Sequence, residues 1–146
     1  MTALVYTAMR NQLLDGGSLK TALAAGFINI YTGTPPVTAD AATTGTLLCI
    51  ISLASSGTGI NLGTSSAGSI PKATAESWSG VNVASGTAGY FRWVAPGDDG
   101  TLSTLQKRLQ GSCGMSGADL NMSSINLVNG ATQTIDSSSI TMPASA

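Results

Sequence analysis

The chain has 146 residues, 6 basic and 7 acidic side chains, a net charge of −1 and no histidine, and about half of it is Ala, Gly, Ser and Thr. So weak and balanced a charge argues against nucleic acid as a main partner, because phosphate binding needs clustered Lys and Arg. An apolar fraction of 42% with a mean hydropathy of +0.25 describes a folded chain rather than a disordered one. No stretch approaches 18 consecutive apolar residues, so no membrane-spanning helix is expected, and Arg10 without a sustained apolar run gives no signal-peptide pattern.

Residues 1–26 read as a helical N-terminal arm. Thr2 can cap its start, and Val5, Met9 and Leu13, with Tyr6 beside them, share one face. Gly16-Gly17 ends the run; Ser18 can cap a second short helix carrying Leu19 and Leu23, closed by Gly26. The face either covers its own domain or docks on a neighbouring subunit, and amphipathic helices mostly do the former.

From 27 the period becomes strand-like, and residues 27–146 are expected to form an antiparallel β-sandwich, jelly-roll-like, in a single domain. Phe27 to Tyr31 alternates and stops at Thr32-Gly33-Thr34-Pro35-Pro36. Thr46 to Leu53 is apolar on both faces, as in a central strand or an edge hidden by the helix. Residues 54–76 read as a long loop with room for one short strand around Ile60, and loops of that length tend to be functional or mobile. Strands resume at Val81 and Val83 and at Gly89 to Val94, with Phe91 and Trp93 on one side and Tyr90, Arg92 and Val94 on the other. Arg92 in that setting reads as a solvated group with its stem packed on rings. Pro96 to Gly100 is a turn, and Leu102 to Gly111 a hairpin partner rather than core. Leu120 to Met122 and Ile125 to Leu127 alternate around a bend at Ser123-Ser124. Asn129-Gly130, flanked by Leu127-Val128 and Thr132 to Ile135, is a two-residue hairpin signal; Ile140 to Met142 forms a last strand before Pro143.

Little in this sequence points to catalysis. Without histidine, Ser-His-Asp and Cys-His nucleophilic systems and His-ligated zinc sites are unavailable. Cys49 and Cys113 read as buried thiols rather than a disulfide. Asp98-Asp99-Gly100 lacks the ligand spacing of a calcium loop and reads as a turn. Gly57 to Gly63 has the wrong spacing for a dinucleotide fingerprint, and Gly114 to Gly117 misses the nucleophile elbow. The acids are scattered, so a glycosidase pair would have to be assembled in space. No metal, cofactor or catalytic residue is expected, and the chain reads as a non-enzyme.

The run Phe27 to Pro36, followed by Thr46-Leu47-Leu48, resembles the opening of a family of small tailed-bacteriophage virion proteins, whose chains read as a helix, an I-Y-x-G-x-x-P strand and turn, and then L-L. Gly89-Tyr90-Phe91-Arg92, and Gly117 to Leu120 through Ile125, Gly130, Ile135 and Ile140 to Pro143, are similar to that family's closing strands. The resemblance implies a virion-located structural component that binds other virion proteins (major capsid, portal, or collar and tail proteins) as a capsid decoration or collar piece, as a homo-oligomer, with neither nucleic acid nor membrane as partner. A receptor- or carbohydrate-binding module on a tail fibre is the alternative. Contact candidates are Tyr6 and Met9 on the helix, Ile60 and Leu62 in the long loop, and Tyr90, Arg92 and Trp93 on the aromatic strand, since aromatics and Arg favour interface centres.

Overall fold

The computed structural model describes residues 4–142. The proposed Thr2 cap and the Pro143 stop lie outside them. The N-terminal helix is shorter than its periodicity predicts: Leu4–Val5 forms a strand, β1, with Leu4 opposite Gln110 and Val5 opposite Leu109. Pairing with an otherwise open strand edge outweighs the weak helical preference of β-branched Val5. Helix α1 then runs Thr7–Leu14 from an extended Tyr6, and α2 runs Leu19–Leu23. Gly16, at φ +91°, turns the chain between them, and Ser18 Oγ accepts the Thr21 N–H at 3.0 Å as the expected cap. Met9, Ala22 and Leu23 lie in the main core, and Trp93 Nε1 donates to the Leu23 carbonyl at 3.2 Å. This segment covers its own domain; it is not a detached arm.

The fold is mainly β with these short N-terminal helices. The remaining strands are β2 (Phe27–Thr32), β3 (Leu47–Leu53), β4 (Ser69–Pro71), β5 (Trp78–Val81), β6 (Gly86–Val94), β7 (Arg108–Gly114), β8 (Leu120–Asn121), β9 (Asn126–Leu127), β10 (Thr132–Ile135) and β11 (Ser139–Thr141). One sheet runs β1-β7-β6-β2-β3-β5-β10, antiparallel throughout; β9 adds antiparallel to β6, β8 adds parallel to β7, and β4 and β11 form a separate ribbon.

The sheet curls on itself. β5 and β6 stand three strands apart, about 14 Å in a flat sheet, yet the rings of Trp78 and Trp93 meet edge to face with centroids 5.2 Å apart. Bulges cause part of the bend: the register of β2 shifts against both neighbours near Tyr31, leaving Leu48 extra on β3 and Gly89 extra on β6. A Cβ at position 89 would sit 1.9 Å from the Gly33 carbonyl oxygen, so only glycine fits this bulge. Inside the curl lie Ile28, Ile30, Cys49, Ile51, Phe91, Trp93 and Leu109, all buried, and α1 and α2 contribute Met9 and Leu23 to the same core.

Several local expectations need correction. Residues 54–76 are not a bare loop: Ile60 bridges Gly26, Leu62 bridges Lys72, and β4 follows. Both side chains enter the core because alternation around Ile60 points them inward. Asn129-Gly130 makes a turn, with the Ala131 N–H on the Val128 carbonyl at 3.0 Å, but no hairpin, since β9 pairs with β6 and β10 with β5. A type I′ hairpin needs positive φ at both central residues, and here only Gly130 has it. That geometry occurs at Ala54 (φ 50°) and Ser55 (φ 58°), closed by the Ser56 N–H on the Leu53 carbonyl at 2.9 Å. The strand begun at Val81 instead starts at Trp78 and ends at Val81, and β7 is core as well as hairpin partner through buried Arg108 and Leu109.

Candidate functional site

The outer face of the sheet carries an unusual set of buried polar side chains. Registers place Tyr31 opposite Tyr90, Asn29 opposite Arg92, and Arg92 opposite Gln110. Arg92, Arg108 and Tyr90 are all at most 1% exposed. Two loops roof them: residues 33–46, between β2 and β3, and residues 95–107, between β6 and β7.

Each anchor grips a backbone carbonyl of the first loop. Arg92 Nη1 donates to Ala41 O at 2.9 Å, while its Nε and Nη2 share Gln110 Oε1 at 3.1 and 2.7 Å. Gln110 Nε2 passes the chain on to Pro36 O at 2.9 Å. Tyr90, stacked on Tyr31 at 5.1 Å, donates to Thr44 O at 2.6 Å and accepts the Thr44 N–H at 3.0 Å. From the helix side, Tyr6 OH donates to Val37 O at 3.2 Å and Thr7 Oγ1 to Asp40 Oδ2 at 2.5 Å.

Arg108 joins the two loops. Its Nε and Nη2 bind both oxygens of Asp98 at 2.6 Å, Nη1 reaches Ala39 O at 2.8 Å, and Nη2 reaches Thr101 O at 2.7 Å. The loops also bond directly, Thr43 N–H to Gly100 O at 3.0 Å and Ser103 N–H to Asp40 O at 2.8 Å. Burial pushes the Asp98 carboxyl up, but the bonds from Arg108 and the Gly100 N–H outweigh it and hold the group below its ordinary value. Desolvation lowers Arg92, with the neighbouring Arg108 adding to the effect.

The result is a cross-braced lobe that turns Asp98 and Ala39 inward and leaves several large apolar side chains on its outer side. Val37 is 93% exposed, Leu102 75% and Leu105 85%. Large apolar side chains are exposed elsewhere too, Leu14 at 84% among them, and what sets these three apart is the braced backbone that carries them. They can bury apolar area against another surface without first losing backbone entropy.

Of the sequence-derived contact residues, Tyr6, Tyr90 and Arg92 anchor the lobe from beneath, while Met9, Ile60, Leu62 and Trp93 belong to the core. Met9, Ile60, Leu62, Tyr90, Arg92 and Trp93 are all buried, at 4% exposure or less. None can present its side chain to a partner, and Arg92 is not the solvated group its strand position implied. Tyr6 alone of the set is half-buried and reaches the surface, beside Val37. The aromatic strand and the Ile60 segment build the support; the large apolar side chains exposed on the lobe are aliphatic loop residues that alternation does not single out. Loop location and large apolar type, taken together, were the available signal.

Chemistry elsewhere is sparse. Among the described residues no group of three or more Cys, Asp or Glu could hold a metal. Two surface depressions, of about 470 and 440 Å3, gather a single carboxylate between them, Asp119, whereas a smaller one, of about 200 Å3, is lined by both Glu76 and Asp136. Glu76 accepts the Asn61 N–H, Asn61 Nδ2 and Trp78 Nε1 at 2.8, 2.9 and 2.8 Å, which spends its carboxylate on bracing residues 61–78. Cys49 and Cys113 are free thiols; Cys49 is buried as expected, whereas Cys113 is half-buried. Burial pushes them up to about 11 and about 12, the latter with help from Asp119. The chain matches no protein-family model, no curated protein and no solved structure.

Proposed function

We propose that this protein is a non-enzymatic structural component of a tailed-bacteriophage particle, binding shell or neck proteins as a capsid decoration or collar piece. The observation that carries this reading is the braced lobe: buried arginines spent on holding two loops still, with Val37, Leu102 and Leu105 displayed on them. An enzyme site asks for convergent polar groups in a cleft, whereas a binding surface asks for exposed apolar side chains on a rigid frame. The resemblance of the Phe27 to Pro36 run and the closing strands to small virion proteins points to the same use. With so few charges, each contact is modest, and many symmetry-related copies on one particle multiply it.

A tail-fibre carbohydrate module would use the long loop and exposed aromatics as a stacking platform for sugars. Of the 7 aromatic residues, Tyr31, Trp78, Tyr90, Phe91 and Trp93 are buried and Tyr6 and Phe27 are half-buried, so stacking on a sugar has little to work with. Peptide mass spectrometry on gradient-purified virions tests the proposal. Recovery of this chain in fixed proportion to the capsid subunit supports it; its confinement to the soluble lysate overturns it.

A further inference from the structure

We infer that β10 is a pairing edge for a second copy of this chain, joined by a two-fold axis through Gln133. This does not depend on the virion reading. β10 ends the strand order of the main sheet. The Asn82 N–H donates to Ala131 O at 2.8 Å, which fixes the phase of the ladder. The backbone groups of Gln133 and Ile135 therefore point toward β5, and those of Thr132 and Thr134 point outward from the sheet.

The devices that usually protect such an edge are missing. β1, at the opposite edge, is two residues long and runs straight into a helix, but β10 spans four residues with no charge, proline or bulge. Its outer face continues into apolar surface: Thr132 stands opposite Val81, which is 49% exposed, and the β3–β5 register carries the row on to Ile50, 40% exposed. An extended strand is the chemistry that satisfies alternating outward N–H and C=O groups, and this edge is complementary to itself. Antiparallel pairing centred on Gln133 sets Thr132 of one copy opposite Thr134 of the other, twice, giving four main-chain bonds and two exposed Thr–Thr pairs. Gln133 Nε2 donates to the Thr134 carbonyl at 3.3 Å, occupying one of its two lone pairs and leaving the second for the partner strand. Four residues a side is small for a stable dimer, so pairing is weak in dilute solution and strengthens where copies are held close together.

Amide hydrogen exchange of the whole protein across a concentration series tests this. Concentrated wild-type protein should gain protection at the Thr132 and Thr134 amides, while the Gln133 amide, already bonded to β5, changes little. Thr134→Pro removes an N–H that points away from β5, and Thr132→Lys with Thr134→Lys adds charge at exposed positions. Both variants should keep the wild-type circular dichroism and lose the concentration-dependent increase in mass seen by sedimentation. A wild type that stays monomeric into the millimolar range, or association that leaves both amides unprotected or survives in both variants, overturns the inference.

Discussion

Arg108 and Asp98 meet through two hydrogen bonds of 2.6 Å, with their side chains 1% and 0% exposed. A buried pair of this kind is weak evidence of net stability, because desolvating both ions offsets most of their attraction. Its effect is specificity: one guanidinium fixes Asp98, Ala39 and Thr101 at once, and so sets the relative position of two loops.

Removing one partner strands the other. Asp98→Ala should cost about 3–5 kcal/mol of unfolding free energy, measured by urea denaturation. It should also open the chain after half-buried Lys107 to trypsin under native conditions. A loss no larger than that of an ordinary surface substitution, with the loops still protease-resistant, would remove the brace from the account.

The same carboxylate gives the fold an acid limit. Because Asp98 titrates lower folded than unfolded, its contribution is complete above the unfolded carboxylate value of about 4 and is lost as pH falls through the folded value. Glu76 is also held low: burial raises it, but its bonds from Asn61 and Trp78 win. Thermal melts from pH 6 downward should show stability falling below about pH 4. Asp98→Asn should flatten that slope, and an unchanged slope would assign the acid sensitivity to other groups.

The type I′ turn at Ala54-Ser55 uses residues poorly suited to positive φ. Ala54 is exposed, and Ala54→Asn should raise stability by about 0.5–1 kcal/mol, read as an increased melting temperature. Ser55 is best left in place, because its Oγ bonds Ser79 Oγ at 2.7 Å. A destabilised Ala54→Asn variant would contradict the turn assignment.

Thiols pushed up to about 11 and 12 are protonated and slow nucleophiles near neutral pH. Iodoacetamide should label neither Cys49 nor Cys113 appreciably in the native protein, and both after denaturation. Intact mass should be the same with and without reductant; rapid native labelling of Cys49 would mean that the core opens easily.

Much of the fold was readable from the sequence because its signals are local. Alternation located β2, β3 and β6, while Gly16 and Ser18 marked the break between the helices. The failures share a cause: a non-local partner decided the outcome. Val5 joins a strand because β7 offers an edge, and Asn129-Gly130 makes no hairpin because its flanking strands find different neighbours. The burial of Tyr90 and Arg92 was missed for a related reason. Alternation showed Tyr90 and Arg92 on one face and Phe91 and Trp93 on the other, but a second, polar layer beneath the loop roof is set by carbonyl positions 46 to 69 residues away in sequence. Those bonds bury Arg92, and the large apolar side chains left exposed on the roof are Val37, Leu102 and Leu105.

Under the proposed function, the braced lobe is the surface by which this chain joins a particle. Particles assembled with the gene deleted can be mixed with purified protein and the bound fraction measured by co-sedimentation. Wild type should rebind to a fixed stoichiometry. Val37→Lys with Leu105→Lys should bind at least tenfold more weakly while its stability stays within about 0.5 kcal/mol of wild type, since both positions are exposed. Rebinding of this double variant at full strength, or no rebinding by the wild type, would contradict the account.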